Sequence, residues 1–153
     1  MELFDQILMR HSFFEGMDPA YLELMSDRAT FANFEKGEYV FHEGDAADSF
    51  YLILHGKVAL EVFSQQKGPL AFQTAGEDEV LGWGWFYPPY RWHFDARVLE
   101  NTRCIVLDGK WLRQACEENH DLGYEMLKRL GKVMLGRLQA TRLQLLDMYG
   151  FQS

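Results

Sequence analysis

Lys36-Gly37-Glu38-Tyr39-Val40-Phe41-His42-Glu43-Gly44-Asp45 and, shortly after it, Phe50-Tyr51-Leu52-Ile53-Leu54-His55-Gly56-Lys57-Val58 carry the reading of the fold. Both are short apolar and aromatic runs closed by a glycine beside a charged residue, the composition of strands separated by tight turns. The same punctuation continues at Lys67-Gly68-Pro69 and Ala75-Gly76-Glu77, so turn signals recur from Phe31 to Asp108 at the spacing of an all-β sandwich or roll. Phe50 to Leu54 is apolar on both faces and reads as a buried strand. Val58, Leu60 and Val62 alternate with Ala59 and Glu61, the pattern of a half-buried one. Gly37, Gly44, Gly56 and Gly76 are read as chain reversals where a positive φ suits glycine alone.

On either side of this region the period becomes helical. Upstream, Leu3, Ile7 and Leu8 share one helix face, and Asp18-Pro19 caps a second short helix that turns Leu22 and Met25 inward. Downstream, Lys110 to Glu117 is a short helix, and a long one runs from Asp121 to about Tyr149. Along it Leu127, Leu130, Met134, Leu138, Thr141 and Leu145 recur at steps of three and four, the seam of a coiled coil. The expectation is a dimer interface through these six residues. The bland alternative is that the stripe packs on the chain's own sheet. Gly131 and Gly136 lie within it, each costing about 1 kcal/mol relative to Ala, a cost offset where two backbones approach closely.

With 153 residues, 48% hydrophobic and 25% charged, the chain has the length and composition of one domain that needs neither disulfide nor metal to hold its core. Two cysteines outside any Cys-x-x-Cys pair fit the reducing cytoplasm. No apolar run reaches the ~20 residues that span a bilayer, and the N-terminal stretch has acidic Glu2 and Asp5 where a secretory leader would be basic. A net charge of −8 repels polyphosphate, so no direct DNA binding is expected. His11, His42, His55, His93 and His120 lack the spacing of a metal site, and no Ser, Cys or His stands in a nucleophile's setting. Neither a metal nor an enzymatic activity is expected.

The two opening stretches resemble the cyclic-nucleotide-binding domain superfamily, whose pattern Gly-x-x-(Ile/Leu/Val)-(Phe/Ile)-x-x-Gly-(Asp/Glu) is met by Gly37, Val40, Phe41, Gly44 and Asp45. Gln73 to Glu77, Leu81-Gly82, Ala96-Arg97-Val98 and Asp108 continue the match. The resemblance implies a mostly β fold with flanking helices: a β-roll (double-stranded β-helix) between N-terminal helices and a long C-terminal helix. In the related catabolite-activator-like bacterial regulators that helix is the dimer interface and leads into a helix-turn-helix module. Here the chain ends at Ser153, and the expectation is a stand-alone member without the DNA-reading half. The expected layout is one domain over 1–153, with helices in 1–30, the roll in 31–108 and exit helices in 109–150.

The resemblance also implies where a ligand binds and shows a departure there. Family members hold the phosphate on the N-terminal amides of a short helix and on an Arg, and the ribose hydroxyl on a Glu. In Leu81-Gly82-Trp83-Gly84-Trp85-Phe86-Tyr87-Pro88-Pro89-Tyr90-Arg91-Trp92-His93-Phe94, Trp83 stands where the Glu is expected and Trp92 where the Arg is expected. A one-residue slip brings Arg91 to the phosphate; Asp95 is the one carboxylate that could stand in for the Glu. A site missing these groups loses several kcal/mol of preference for a cyclic nucleotide. The candidate ligand residues are Gly82, Trp83, Gly84, Trp85, Arg91, Trp92 and His93, with Arg91 and His93 the cations among large aromatic faces. Two readings fit them. One is a cage for a small flat or aromatic ligand carrying an anionic group; the other is an aromatic plug that fills the vacated pocket. Arg97 is read as pairing with a carboxylate on a strand. The functional expectation is a ligand sensor that signals through its C-terminal helix to a homodimer or a regulatory partner protein, the alternative being a ligand-free dimerisation or interaction domain.

Overall fold

The computed structural model describes residues 4–150, so Leu3 lies outside the described residues. Helix α1 (Phe4–Arg10), a single 3-10 turn at Ser12–Phe14 and helix α2 (Pro19–Ser26) precede strands β1 (Ala29–Phe34), β2 (Tyr39–Phe41), β3 (Ser49–Ser64), β4 (Gly68–Gly76) and β5 (Asp95–Asp108). Helices α3 (Gly109–Glu118) and α4 (His120–Met148) close the chain. The strands form one antiparallel sheet in the order β1-β5-β3-β4, with β2 on the far part of β5. Because β3 and β5 are long and shift register several times along their pairing, the sheet coils into a roll instead of lying flat.

Each element follows from local chemistry. Asp18 caps α2 by accepting the Ala20 amide at 2.9 Å, with Pro19 at the first helical position. Leu22 and Met25 are buried beneath it, as their spacing requires. Asp108 ends β5 and caps α3 through the Trp111 amide at 3.0 Å. Asn119 caps α4 through the amides of Asp121 and Leu122. The core joins Leu8, Phe13 and Phe14 of the N-terminal segment to Phe50, Leu52 and Ile53 of β3, Ile105 and Leu107 of β5, and Leu112, Leu122, Met126 and Leu130 of the exit helices.

Three expectations are corrected. The stretch around Gly56 is not a reversal: β3 runs straight through it, and Gly56, at φ +115°, is a bulge facing Thr102 of β5. A Cβ there would lie 2.2 Å from the Thr102 hydroxyl, so glycine is required by contact as well as by conformation. Gly76 turns the chain without a positive φ. Alternation along β3 also fails, since Val58, Ala59, Leu60 and Glu61 are all buried while Val62 is 39% exposed. The cause is that both faces are covered here: Val58 and Leu60 belong to the core, while Ala59 and Glu61 share the opposite face with Arg97 of β5, the pairing with β5 being regular from Val58 to Glu61. Buried Glu61 is held by Arg97 of β5, whose Nε and Nη2 donate to its Oε2 at 2.9 and 2.7 Å. That is the strand pairing expected of Arg97, and the bond pushes the arginine pKa up.

The seam on α4 divides between two environments. Leu130 is fully buried and Met134 packs against the core, so those two positions belong to the chain's own interior. Leu127, Leu138 and Leu145 are 48%, 66% and 50% exposed, and Leu135 and Tyr124 extend the apolar face. From Leu138 onward every residue of α4 is exposed. No helix among the described residues is long and apolar enough to cross a membrane.

His11 lies at the joint between the N-terminal segment and the roll, 3% exposed. Its Nδ1 accepts the Phe13 amide at 3.2 Å, so the ring proton sits on Nε2 and is donated to the Ile53 carbonyl at 3.2 Å. Burial pulls its pKa below the ordinary 6.5, against opposing effects of Asp78 and of the backbone bonds. Cys104 and Cys116 are buried free thiols whose pKa values burial pushes up to about 12 and about 11.

Two measurements test this framework. Gly56→Ala is expected to cost about 2–4 kcal/mol of unfolding free energy by urea titration, whereas Gly68→Ala, at φ +74° but in open space, should cost about 1 kcal/mol. Since the unfolded chain binds a proton at His11 more readily than the folded one, stability is expected to fall as pH drops below about 6.5, and His11→Gln to flatten that limb.

Candidate functional site

The segment between β4 and β5 is laid against the roll by backbone bonds at both ends. Ile53 donates to Glu79 at 2.8 Å and Leu81 to Tyr51 at 3.2 Å on one side; on the other, Trp92 donates to Asp45 at 3.0 Å and Gly44 to Trp92 at 2.8 Å. Between these anchors, residues 83–89 form consecutive turns and bends with no helix, ending in a cis Pro88-Pro89 bond and Tyr90 at φ +58°. The row of helix N-terminal amides that the family resemblance implies is therefore not formed here. Arg113 of α3 fastens the segment. It donates to the carbonyls of Ala47 (3.0 Å) and Trp85 (2.6 Å), and its guanidinium lies 4.0 Å from the centre of the Tyr90 ring.

Aromatic rings dominate the interior side of this segment. Trp92 enters the roll, 3% exposed, and lies flat on Phe41 with ring centroids 3.9 Å apart and planes 5° off parallel. Two glycines make room for it. A Cβ on Gly82 would meet Phe94 at 3.1 Å and Trp92 at 3.3 Å, and one on Gly84 would meet the Arg91 carbonyl at 2.9 Å and Trp92 at 3.1 Å. Trp83 remains half-buried at the edge.

Between this aromatic layer and α4 lies a cavity of about 430 Å³. Phe72 and Gln73 of β4, Trp83 and Gly84, and Trp92, His93 and Phe94 line it from the roll, while Met134, Arg137, Leu138 and Thr141 line it from the helix. Gln73 ties the two sides, its Nε2 donating to the Arg137 carbonyl at 2.8 Å and to the Thr141 hydroxyl at 3.0 Å. Arg137 bridges them a second time: Nη2 donates to the Val80 carbonyl and the guanidinium lies 5.7 Å from the Trp83 ring centre. Its Nη1 is buried without a partner. Burial draws the arginine pKa below its ordinary value, the Glu79 carboxylate acting in the other direction.

Of the residues expected at a ligand site, Trp83, Gly84, Trp92 and His93 come together on the cavity, and Gly82 packs behind them. Trp85 does not face it. That indole is fully buried on the other side of the turn, stacked on Phe50 at 4.7 Å, because Arg113 draws the Trp85 carbonyl toward α3. Arg91 is exposed outside the lining and donates to the Gly44 carbonyl at 3.1 Å. Nor does Asp95 turn inward: it accepts the Glu43 amide at 2.7 Å and lies 3.6 Å from His42. Met134, Leu138 and Thr141, read from the sequence as dimer seam, also line the cavity; Gln73 carried only its place in the family match, and Arg137 no sequence signal beyond its polarity. Among the described residues no three His, Cys, Asp or Glu side chains form a metal cluster.

Comparison with known proteins agrees with this architecture. Residues 31–119, more than half of the chain, match the cyclic nucleotide-binding domain model, and the chain belongs to that family. A CRP-like cAMP-activated global transcriptional regulator of Mycobacterium tuberculosis is 24% identical over 144 residues, covering 94% of this chain and 62% of the regulator. The chain thus spans under two thirds of that relative's length. Among solved structures, a Geobacter metallireducens GS-15 protein assigned as cyclic nucleotide-binding superposes with a TM-score of 0.80 at 23% identity, covering 90% of this chain and 99% of that one. The sensor domain of the transcriptional regulator DNR from Pseudomonas aeruginosa gives a TM-score of 0.70 at 23% identity, with coverages of 88% and 91%. The mostly antiparallel β fold with a long C-terminal helix is common to these structural neighbours.

Buried Trp92 and half-buried Trp83 should separate in a stability measurement. Trp92→Ala is expected to lower the unfolding free energy by about 3–5 kcal/mol, and Trp83→Ala by less than half of that, both read from urea unfolding followed by circular dichroism.

Proposed function

We propose that this chain is a ligand-sensing regulatory module. Its cavity takes a small flat aromatic molecule carrying one anionic group, and occupancy is read by α4, which joins two copies in a homodimer or meets a regulatory partner. The observation that carries this reading is that the cavity is shared: one wall is the aromatic segment Trp83–Phe94, the other is α4 itself. A ligand between them contacts the element whose exposed face is free to associate. Regulators and sensor domains among the similar proteins support the regulatory class.

A cyclic nucleotide suits this cavity poorly. Trp83 supplies no carboxylate for a ribose hydroxyl, and Arg91 is directed to the Gly44 carbonyl instead of the lining. The second reading, a ligand-free interaction domain, draws on Trp92, which already fills the inside of the roll against Phe41. Mass spectrometry of the purified chain under native conditions separates the two. A co-purifying low-mass aromatic anion favours the sensor, and a bare protein with no response to any small aromatic acid favours the plugged domain.

For the dimer, Leu127, Leu138 and Leu145 form the exposed line, and open space at Gly131 suits close approach of a second helix. Leu145→Glu touches neither core nor cavity and places an unpaired charge in that line, costing the dimer about 3 kcal/mol or more. Light scattering is expected to give a dimer for the parent and a monomer for the variant, with monomer folding unchanged. For the ligand, about 1 mM cyclic AMP bound with a Kd of ~10 μM would add about 2.7 kcal/mol of stability; the expected melting shift is below about 1 °C.

A further inference from the structure

Arg137 has two peculiarities for a side chain on a long surface helix: its guanidinium lies against an indole, and one of its terminal nitrogens is buried with nothing to bond. Five donors sit on a guanidinium, and a buried donor left unpaired costs about 1–3 kcal/mol. Nη2 is taken by the Val80 carbonyl and Nη1 by no protein group. The nearby Glu79 carboxylate accepts the Gly76 amide at 2.9 Å, and no ion pair to Arg137 forms among the described residues. Phe72, Trp83, Trp92 and Phe94 line the cavity with Arg137, His93 being the other titratable side chain there, and on its other side Arg137 borders a second space with Asp78, Glu79 and Lys132.

We infer that Arg137 is the anion receptor of this cavity, so that the ligand is a flat aromatic monoanion whose rings lie among the roll's aromatics and whose charge is held by helix α4. The inference rests on the reading of the cavity as a ligand site and moves the charge recognition from Arg91, on the turn segment, to the helix. A planar, permanently charged guanidinium suits a carboxylate or sulfonate through paired N–H donors and stacks on Trp83 at the same time. A ligand gripped this way cannot leave without releasing the helix, so charge selectivity and helix contact become one property.

The test uses two dyes with the same ring system, anionic 8-anilinonaphthalene-1-sulfonate and neutral N-phenyl-1-naphthylamine. Each is titrated by fluorescence into the full chain, and again in the Leu145→Glu background to count any sites that the helix face, uncovered in the monomer, adds. One sulfonate dye per chain is expected. Arg137→Gln, which removes the charge and shortens the side chain, should weaken that dye by about tenfold or more while the neutral dye changes by less than about threefold. Arg137→Lys, which keeps the charge without the planar fork, should restore part of the loss, and Arg91→Gln should change neither dye. Equal weakening of both dyes by Arg137→Gln, or loss of the anionic dye with Arg91→Gln alone, overturns the assignment while leaving the cavity a ligand site. If neither dye binds the parent chain, the reading of the cavity itself fails, and the inference with it.

Discussion

An indole ring enters the interior of a small β-roll only where its neighbours give up volume. Here Trp92 lies on Phe41, and the space comes from Gly82 and Gly84, where even one added carbon would collide with the rings or the adjoining backbone. This packing fixes the path of the whole connection between β4 and β5: the backbone must pass close behind the indole, and residues 83–89 curl into turns. Trp83 is left at the rim, Trp85 is turned into the core, and a residual space opens toward α4. Changing the fit of Trp92 would alter all three. Cores of this density respond to single methyl groups, so the segment is held to one arrangement.

The fold was legible because its signals are local. Glycine beside charge marked the turns, and the change from a period of two to one of three and four marked the passage from sheet to helix. What escaped was set by partners distant in the chain. Gly56 resembles a hairpin turn, but Thr102 across the sheet makes it a bulge within one long strand. Glu61 reads as solvent-facing until Arg97, on the neighbouring strand, covers it and takes its carboxylate.

The site was half legible for a related reason. A row of Trp and Gly is conspicuous in any sequence, and four of the seven residues chosen there do meet on the cavity. Arg137 was not, because helical periodicity tells which residues share a face and not what the face meets. Met134, Leu138 and Thr141 belong to one stripe, yet the roll lies close enough to include all three in the cavity wall. Charge follows the same logic at short range. The chain carries a net charge of −8, but screening over roughly 8 Å confines that field, and a guanidinium within an apolar enclosure dominates its own surroundings.

Helix α4 is attached to the roll as far as Thr141, whose hydroxyl is held by Gln73, and every residue beyond it is exposed. At a rise of 1.5 Å per residue, the stretch from Thr141 to Met148 extends about 10 Å past the cavity. A stiff rod anchored at one end acts as a lever. A tilt of about 10° at Thr141 would carry its far end about 2 Å, about a third of the length of one helical turn. A displacement at the cavity too small to disturb the roll would therefore be enlarged at the free end of the rod, where a sub-ångström change of fit becomes a change in which apolar side chains of two rods can interlock.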